Sequence, residues 1–272
     1  MRVKSKTKAG NWGVSYDDKA GDLGYNVRLA LSDVQNEIVS LEGTGPYIST
    51  RTIREVGQPI DAFYGYQTAG FFQTDEEAAA APKQFGTLKA GDIRYVDQNG
   101  DGIINPDDRV VLGSSIPRYT YSLNLGFTFR GFDLGAFLQG VGKVNGYLDG
   151  PGVWAFDTGG TAYEHHKDRW TPENPNASYP RLTFNETNNY QVSDFWMING
   201  AYLRLKNLTL GYSLPKNITD KLSVKSLRVN LSGQNILTFD KYLSGFDVET
   251  PTGGVGRYPI VKVYSVGLNV NF

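Results

Sequence analysis

Cysteine is absent from the 272 residues, which excludes disulfides and thiolate metal sites. Histidine is scarce. The 2 present, His165 and His166, are adjacent and cannot share a helix face as an i, i+4 metal pair would. They read as loop histidines, and a zinc centre lacks ligands. Charge of one sign is also missing: 27 Lys and Arg meet 28 Asp and Glu, for a net charge of -1. That leaves no electrostatic footprint for nucleic acid or anionic lipid. No run of about 18 apolar residues exists, so no transmembrane helix is expected. The opening stretch, MRVKSKTKAGNWG, is basic but is followed by no apolar segment, so it is not a secretory signal. No Gly-rich phosphate loop precedes a helix, and no GxSxG elbow occurs. Asp157, Glu164, Asp168 and Glu173 share one stretch, but nothing fixes a separation suited to glycoside hydrolysis. No enzymatic activity is expected.

Aromatics are abundant, with 17 Tyr and 14 Phe, and 32 Gly accompany them. This composition suits many strands joined by turns. The mean hydropathy is polar, -0.37, which is compatible with a membrane barrel because its strands alternate apolar and polar residues. From Leu23 the odd positions read Leu23, Tyr25, Val27, Leu29 and Leu31, against Gly24, Asn26, Arg28, Ala30 and Ser32. From Tyr119 the odd positions to Phe129 are again large and apolar, against Thr120, Ser122, Asn124, Gly126 and Thr128. Arg130-Gly131 then predicts a tight turn, with a return through Phe132, Leu134, Ala136 and Leu138. Further strands are expected over Ala201–Leu214, with Leu203 and Leu205 opposite Arg204 and Lys206, and over about Lys225–Leu237. The last strand sets Tyr264, Val266, Leu268, Val270 and Phe272 against Ser265, Gly267, Asn269 and Asn271. A large apolar face suits lipid, and a small polar face suits a wet interior. A soluble sandwich shares the alternation and is the rival reading.

Between residues 142 and 199 the chain is dense in Pro, Gly, Asn and Asp. This is expected to be a long loop region, with short helical pieces near Thr161–Trp170, on the extracellular side of a barrel. Its Trp154, Trp170 and Trp196 suit structural packing, stacking on sugar rings, or an interfacial girdle.

Residues 97–108 form a calcium-loop-like insertion. Asp97, Asn99 and Asp101 stand at loop positions 1, 3 and 5, Gly102 permits the sharp turn, and Ile103 offers its carbonyl. Asp108 closes the loop where an EF-hand has Glu, so ligation is weaker. The flanks, Ile93–Val96 and Arg109–Leu112, read as extended rather than helical. The expectation is a structural Ca2+ that rigidifies a loop. An Asn/Asp/Gly turn without an ion is the simpler alternative.

Several stretches resemble the C-terminal region of SusC/RagA-type transporters. They are GYQTAGFFQTDEE (65–77), the long run from GDIRYVDQNGDGIINPDDRVVLG to GAFLQG (91–140), RWTPENPNASYPRL (169–182), AYLRLKNLTLGYSLP (201–215), LRVNLSGQNILTF (227–239) and the last strand. The resemblance implies an all-β fold, an antiparallel transmembrane β-barrel, of which 1–272 is the C-terminal portion with long extracellular loops. It implies import of glycans, oligosaccharides or peptides across the outer membrane. The implied partners are a SusD-like surface lipoprotein acting as a lid, the TonB complex through an N-terminal region that has no counterpart here, outer-membrane lipid, and the barrel-assembly machinery acting on the terminal Phe272. The plug and the signal peptide are expected upstream of Met1, since plugged transporters need about 22 strands. The alternatives from other classes are a soluble calcium-binding β module, such as an adhesin or carbohydrate-binding domain, and a β-rich secreted hydrolase.

Overall fold

The computed structural model describes residues 3–184, 187–243, 245–250 and 260–272. Seven long strands make one sheet: β1 (Lys4–Ala20), β2 (Leu23–Ser40), β3 (Tyr119–Phe129), β4 (Phe132–Gly142), β5 (Tyr202–Ser213), β6 (Ser226–Phe239) and β7 (Val263–Asn271). Their order in the sheet is their order in the chain, and every neighbouring pair is antiparallel. The sheet is an open meander.

The register sorts the two faces. One row runs Val14–Leu29–Leu123–Leu138–Leu205–Leu237, and another runs Tyr25–Phe127–Leu134–Leu210–Leu231–Val266. A row on the opposite face reads Asp17–Asn26–Gly126–Gly135–Thr209–Ser232–Ser265. Trp12, Val14, Leu29, Leu231, Tyr264, Val266, Leu268 and Phe272 are all exposed, Val266 to 78%. Among the described residues no second sheet covers this face. The sandwich reading fails here, because its apolar side chains would meet in a dry middle layer.

Two turns join strands with little chain between them. At Arg130-Gly131 both residues have positive φ, 45° and 87°, which matches the right-handed twist of the flanking strands in a hairpin. Arg130 also pairs with Asp22 of the neighbouring β1–β2 turn at 2.8 Å. β5 carries a bulge at Lys206. Its apolar residues fall at odd positions before the bulge (Leu203, Leu205) and at even positions after it (Leu208, Leu210). The one extra residue keeps both sets on the same face.

β1 and β2 rise well beyond the apolar band. Lys4–Glu42 (2.9 Å) and Lys6–Glu37 (3.2 Å) link the upper chain, where the β1 residues are polar on both faces and Ile38 of β2 is buried. The sequence pattern missed β1 because its first half, Lys4–Ala9, lacks alternation. A strand that has left hydrocarbon has no greasy face to show.

The dry core lies elsewhere. Phe63, Tyr66, Ile93, Tyr95, Ile104, Tyr147, Leu148, Val153 and Trp196 pack together, all from the two long connections, β2–β3 and β4–β5. These connections hold short sheets of their own: Tyr47–Ile48, Thr52–Arg54, Ala62–Gly65 and Val110–Gly113 in one, Thr68–Phe71 with Ile93–Tyr95 in another, and Asn145–Tyr147 with Met197–Asn199 in a third. The two connections therefore form one packed cap.

The two faces of the wall predict opposite responses to charge. Leu231→Arg should weaken the folded barrel by about 2–4 kcal/mol, the range for a cation near the bilayer midplane, whereas Ser232→Arg should fold as the parent does. Heat-modifiable mobility of outer-membrane extracts on gels reads the difference.

Candidate functional site

The polar face of the wall and the cap above it hold the polar chemistry. On the wall, Arg204 is buried and bonds Thr238 Oγ1 (3.0 Å), Glu249 Oε1 (2.6 Å) and Asp247 Oδ1 (3.4 Å). Lys206 reaches the same Glu249 oxygen at 2.7 Å. The connection after β6 is thus tied to β5 by charge. Lower down, Arg228 spans the wall to Asp133, with bonds of 3.1 and 2.6 Å.

Inside the cap a polar network joins the two connections. Arg181 donates to both oxygens of the fully buried Asp92, at 2.7 and 3.0 Å. Asn189 Nδ2 donates to Asp92 Oδ1 at 2.8 Å, and its Oδ1 accepts the Ile93 N–H. Asn188 and Gln84 both donate to the Ile93 carbonyl, and Gln84 Oε1 accepts the Tyr95 N–H. A buried network of this kind fixes one arrangement because any unpaired member is costly.

The Trp residues divide. Trp170 and Trp196 are buried, and Trp196 Nε1 donates to the Asn189 carbonyl at 2.9 Å. Both serve packing. Trp154 is half-buried and stacks on Tyr190, with centroids 4.9 Å apart.

The 97–108 turn lies between Ile93–Tyr95 and Val110–Gly113, with a short 3-10 helix at Pro106–Asp108. Asp97 accepts the Gly100 and Gly102 N–H groups, each at 2.8 Å. Those bonds, the Gly102 one first, hold its carboxyl below the usual carboxylate range. Gly102 has φ +82°, which favours glycine. Asn99 Oδ1 accepts the Asp101 N–H, and Asp101 Oδ1 accepts the Ile103 N–H. Asn105 Nδ2 donates to Asp101 Oδ2 (3.5 Å) and to the Ile103 carbonyl (3.3 Å). Asp108 is fully buried and accepts the Gln98 and Asn105 N–H groups. Among the described residues no three acidic or imidazole groups converge as a metal cage. The turn is held by its own backbone donors, and each carboxylate oxygen keeps a lone pair beyond them.

His165 and His166 lie on the 3-10 helix Glu164–Lys167, in the stretch expected to carry short helical pieces. His166 contacts the Tyr163 N–H through Nδ1 and the Val153 carbonyl through Nε2. Burial lowers the proton affinity of both rings below the ordinary histidine value of 6.5. The unfolded chain therefore binds protons that the folded cap refuses. The cap should lose stability as pH falls below about 6.5, and His165→Gln should reduce the size of that loss, since one of the two rings is gone. Limited proteolysis of the cap across pH 5–8 checks it. Removing the Asp92 partner should act at every neutral pH: Arg181→Met strands a buried carboxylate and is expected to destabilise the cap by about 3 kcal/mol, read by thermal melting.

No family model matches the chain. TonB-dependent receptor P3 of Formosa agariphila is 30% identical over 241 residues, which is 82% of this chain and 23% of that protein. TonB-dependent receptor P26 of the same organism is 28% identical, covering 93% of this chain and 28% of that protein. TonB-dependent receptor SusC of Bacteroides thetaiotaomicron is 25% identical, covering 94% and 25%. The chain thus spans about a quarter of the length of the curated relatives it matches. Among solved structures, the RagAB peptide importer in its open-open state superposes with a TM-score of 0.76 at 22% identity, covering 99% of this chain and 29% of that one. Over nearly all its length, in sequence and in fold, the chain resembles one barrel stretch of a SusC/RagA-type TonB-dependent receptor, and its exposed apolar face belongs in the outer membrane.

Proposed function

We propose that this chain forms part of the barrel wall and extracellular cap of an outer-membrane transporter that imports oligosaccharides, glycans or peptides. One observation carries the reading: a single antiparallel sheet is apolar and uncovered on one face and polar on the other. Such a sheet is stable only against lipid, with water or a plug on its inner side. The likeness to TonB-dependent receptors supplies the transport class. A soluble adhesin or carbohydrate-binding module would aggregate with this face bare.

In this reading a SusD-like lipoprotein closes over the cap, and TonB supplies energy through a part of the receptor outside these residues. The alternating series Tyr264, Val266, Leu268, Val270 and Phe272 serves the barrel-assembly machinery. Deleting the gene should abolish accumulation of oligomeric nutrients, and a tonB deletion should do the same. A deletion strain that accumulates both labelled peptides and labelled oligosaccharides at the parental rate refutes the proposal.

The 97–108 turn adds a second element. Calcium bound by Asp97, Asn99, Asp101, the Ile103 carbonyl and Asp108 would rigidify the segment leading into Val110–Gly113. The ionised Asp97 and the fixed Gly102 turn favour it. Calorimetric titration of the purified receptor should show heat at millimolar calcium that Asp101→Ala removes. Absence of any heat ends the calcium assignment.

A further inference from the structure

The cap contains a cavity of about 290 Å³, lined by Arg51, Arg109, Tyr147, Asp149, Trp154 and neighbouring groups. Three donors on its lining have no acceptor: the Tyr147 hydroxyl, Arg109 Nε and Trp154 Nε1. Tyr147 is 1% exposed. The Ser193 backbone N–H faces its oxygen, but that group is itself a donor, so the phenolic proton is left over. Buried donors are rarely left unmade, because desolvating them without a partner is unfavourable.

The charges are unequal as well. Arg51 pairs with Asp149 and lies 5.6 Å from the Tyr147 ring centroid. Arg109 has no carboxylate partner among the described residues. Its Nη2 donates to the Thr50 and Tyr64 carbonyls at 2.9 and 2.7 Å, which orients the guanidinium over the Tyr64 ring. Two guanidinium groups therefore face one carboxylate, and the three unpaired groups on the lining, the Tyr147 hydroxyl, Arg109 Nε and Trp154 Nε1, are all donors. Such a lining rejects an ammonium and accepts an anion. The flat Trp154 ring, braced by Tyr190, offers an apolar wall beside it.

We infer that this cavity is a subsite for a carboxylate carried on a single sugar- or amino-acid-sized group. The volume fits, lying near the lower end of the roughly 300–1,000 Å³ range of small-ligand sites. A peptide C-terminus and a uronic acid present the same chemistry. The inference rests on the uptake reading only for the ligand being cargo; carboxylate binding stands without it.

The test is calorimetry on the purified receptor in detergent with four probes: trialanine, its C-terminal amide, glucuronate, and glucuronate methyl ester. At least one free acid should bind about tenfold more tightly than its neutral counterpart, and which one identifies the source. Tyr147→Phe should weaken that acid about tenfold, close to the loss of one charge-assisted hydrogen bond, while the melting temperature of the ligand-free protein holds or rises. Arg109→Met should abolish the preference for the acid. Equal binding of acid and neutral forms, or no binding of either acid at millimolar concentration, overturns the inference. So does a Tyr147→Phe protein that melts lower with unchanged affinity, since the hydroxyl is then structural. Intact acid binding by the purified receptor, together with normal uptake in the deletion strain, would sink the transport reading alone.

Discussion

Extended backbone in hydrocarbon has no water to bond, so each N–H and C=O must find a neighbouring strand. The seven-stranded meander follows from that constraint. Each strand from β2 to β6 is bonded on both sides, and consecutive strands stay adjacent whether a tight turn or a long connection joins them. Only the outer edges of β1 and β7 lack a partner among the described residues. The likeness to proteins about four times longer accounts for them, since an open sheet is what one stretch of a larger barrel looks like in isolation.

Most of the wall was legible because lipid imposes a strict period of two. The hairpin at Arg130-Gly131 and the last strand follow from alternation and turn residues, and the strand from Tyr202 is legible in its first half through Leu203 and Leu205. Legibility stopped where the solvent changed. The first half of β1 is polar on both faces, so nothing in Lys4–Ala9 alternates, and the end of β2 buries Ile38 where its backbone bonds Gly57 and Gln58 rather than showing an apolar row to lipid. The bulge at Lys206 was present in the sequence as a change from odd to even apolar positions. Without a partner strand that switch reads as noise.

The cap was the opposite case. Residues 142–199 are rich in turn formers, and that composition hides the contribution of Tyr147, Leu148, Val153 and Trp196 to a dry core. Their partners, such as Phe63 and Ile93, lie in a different connection, and no local period links them. The network of Asp92, Arg181, Asn188 and Asn189 is equally long-range. The cavity beside Tyr147 depends on that folding, since Arg51, Arg109 and Trp154 come from separate segments. The calcium-like turn was visible as a motif, but the burial of Asp108 was not.

That the cap has its own core, apart from the wall, carries an evolutionary consequence. The lipid-facing strands must satisfy hydrocarbon and one another, and they leave little freedom to vary. The two long connections are anchored to each other by Asp92 and its partners, so they can drift as a pair. A related receptor could exchange both segments together and inherit a new specificity on an unchanged chassis, whereas grafting either one alone would tear the network in half.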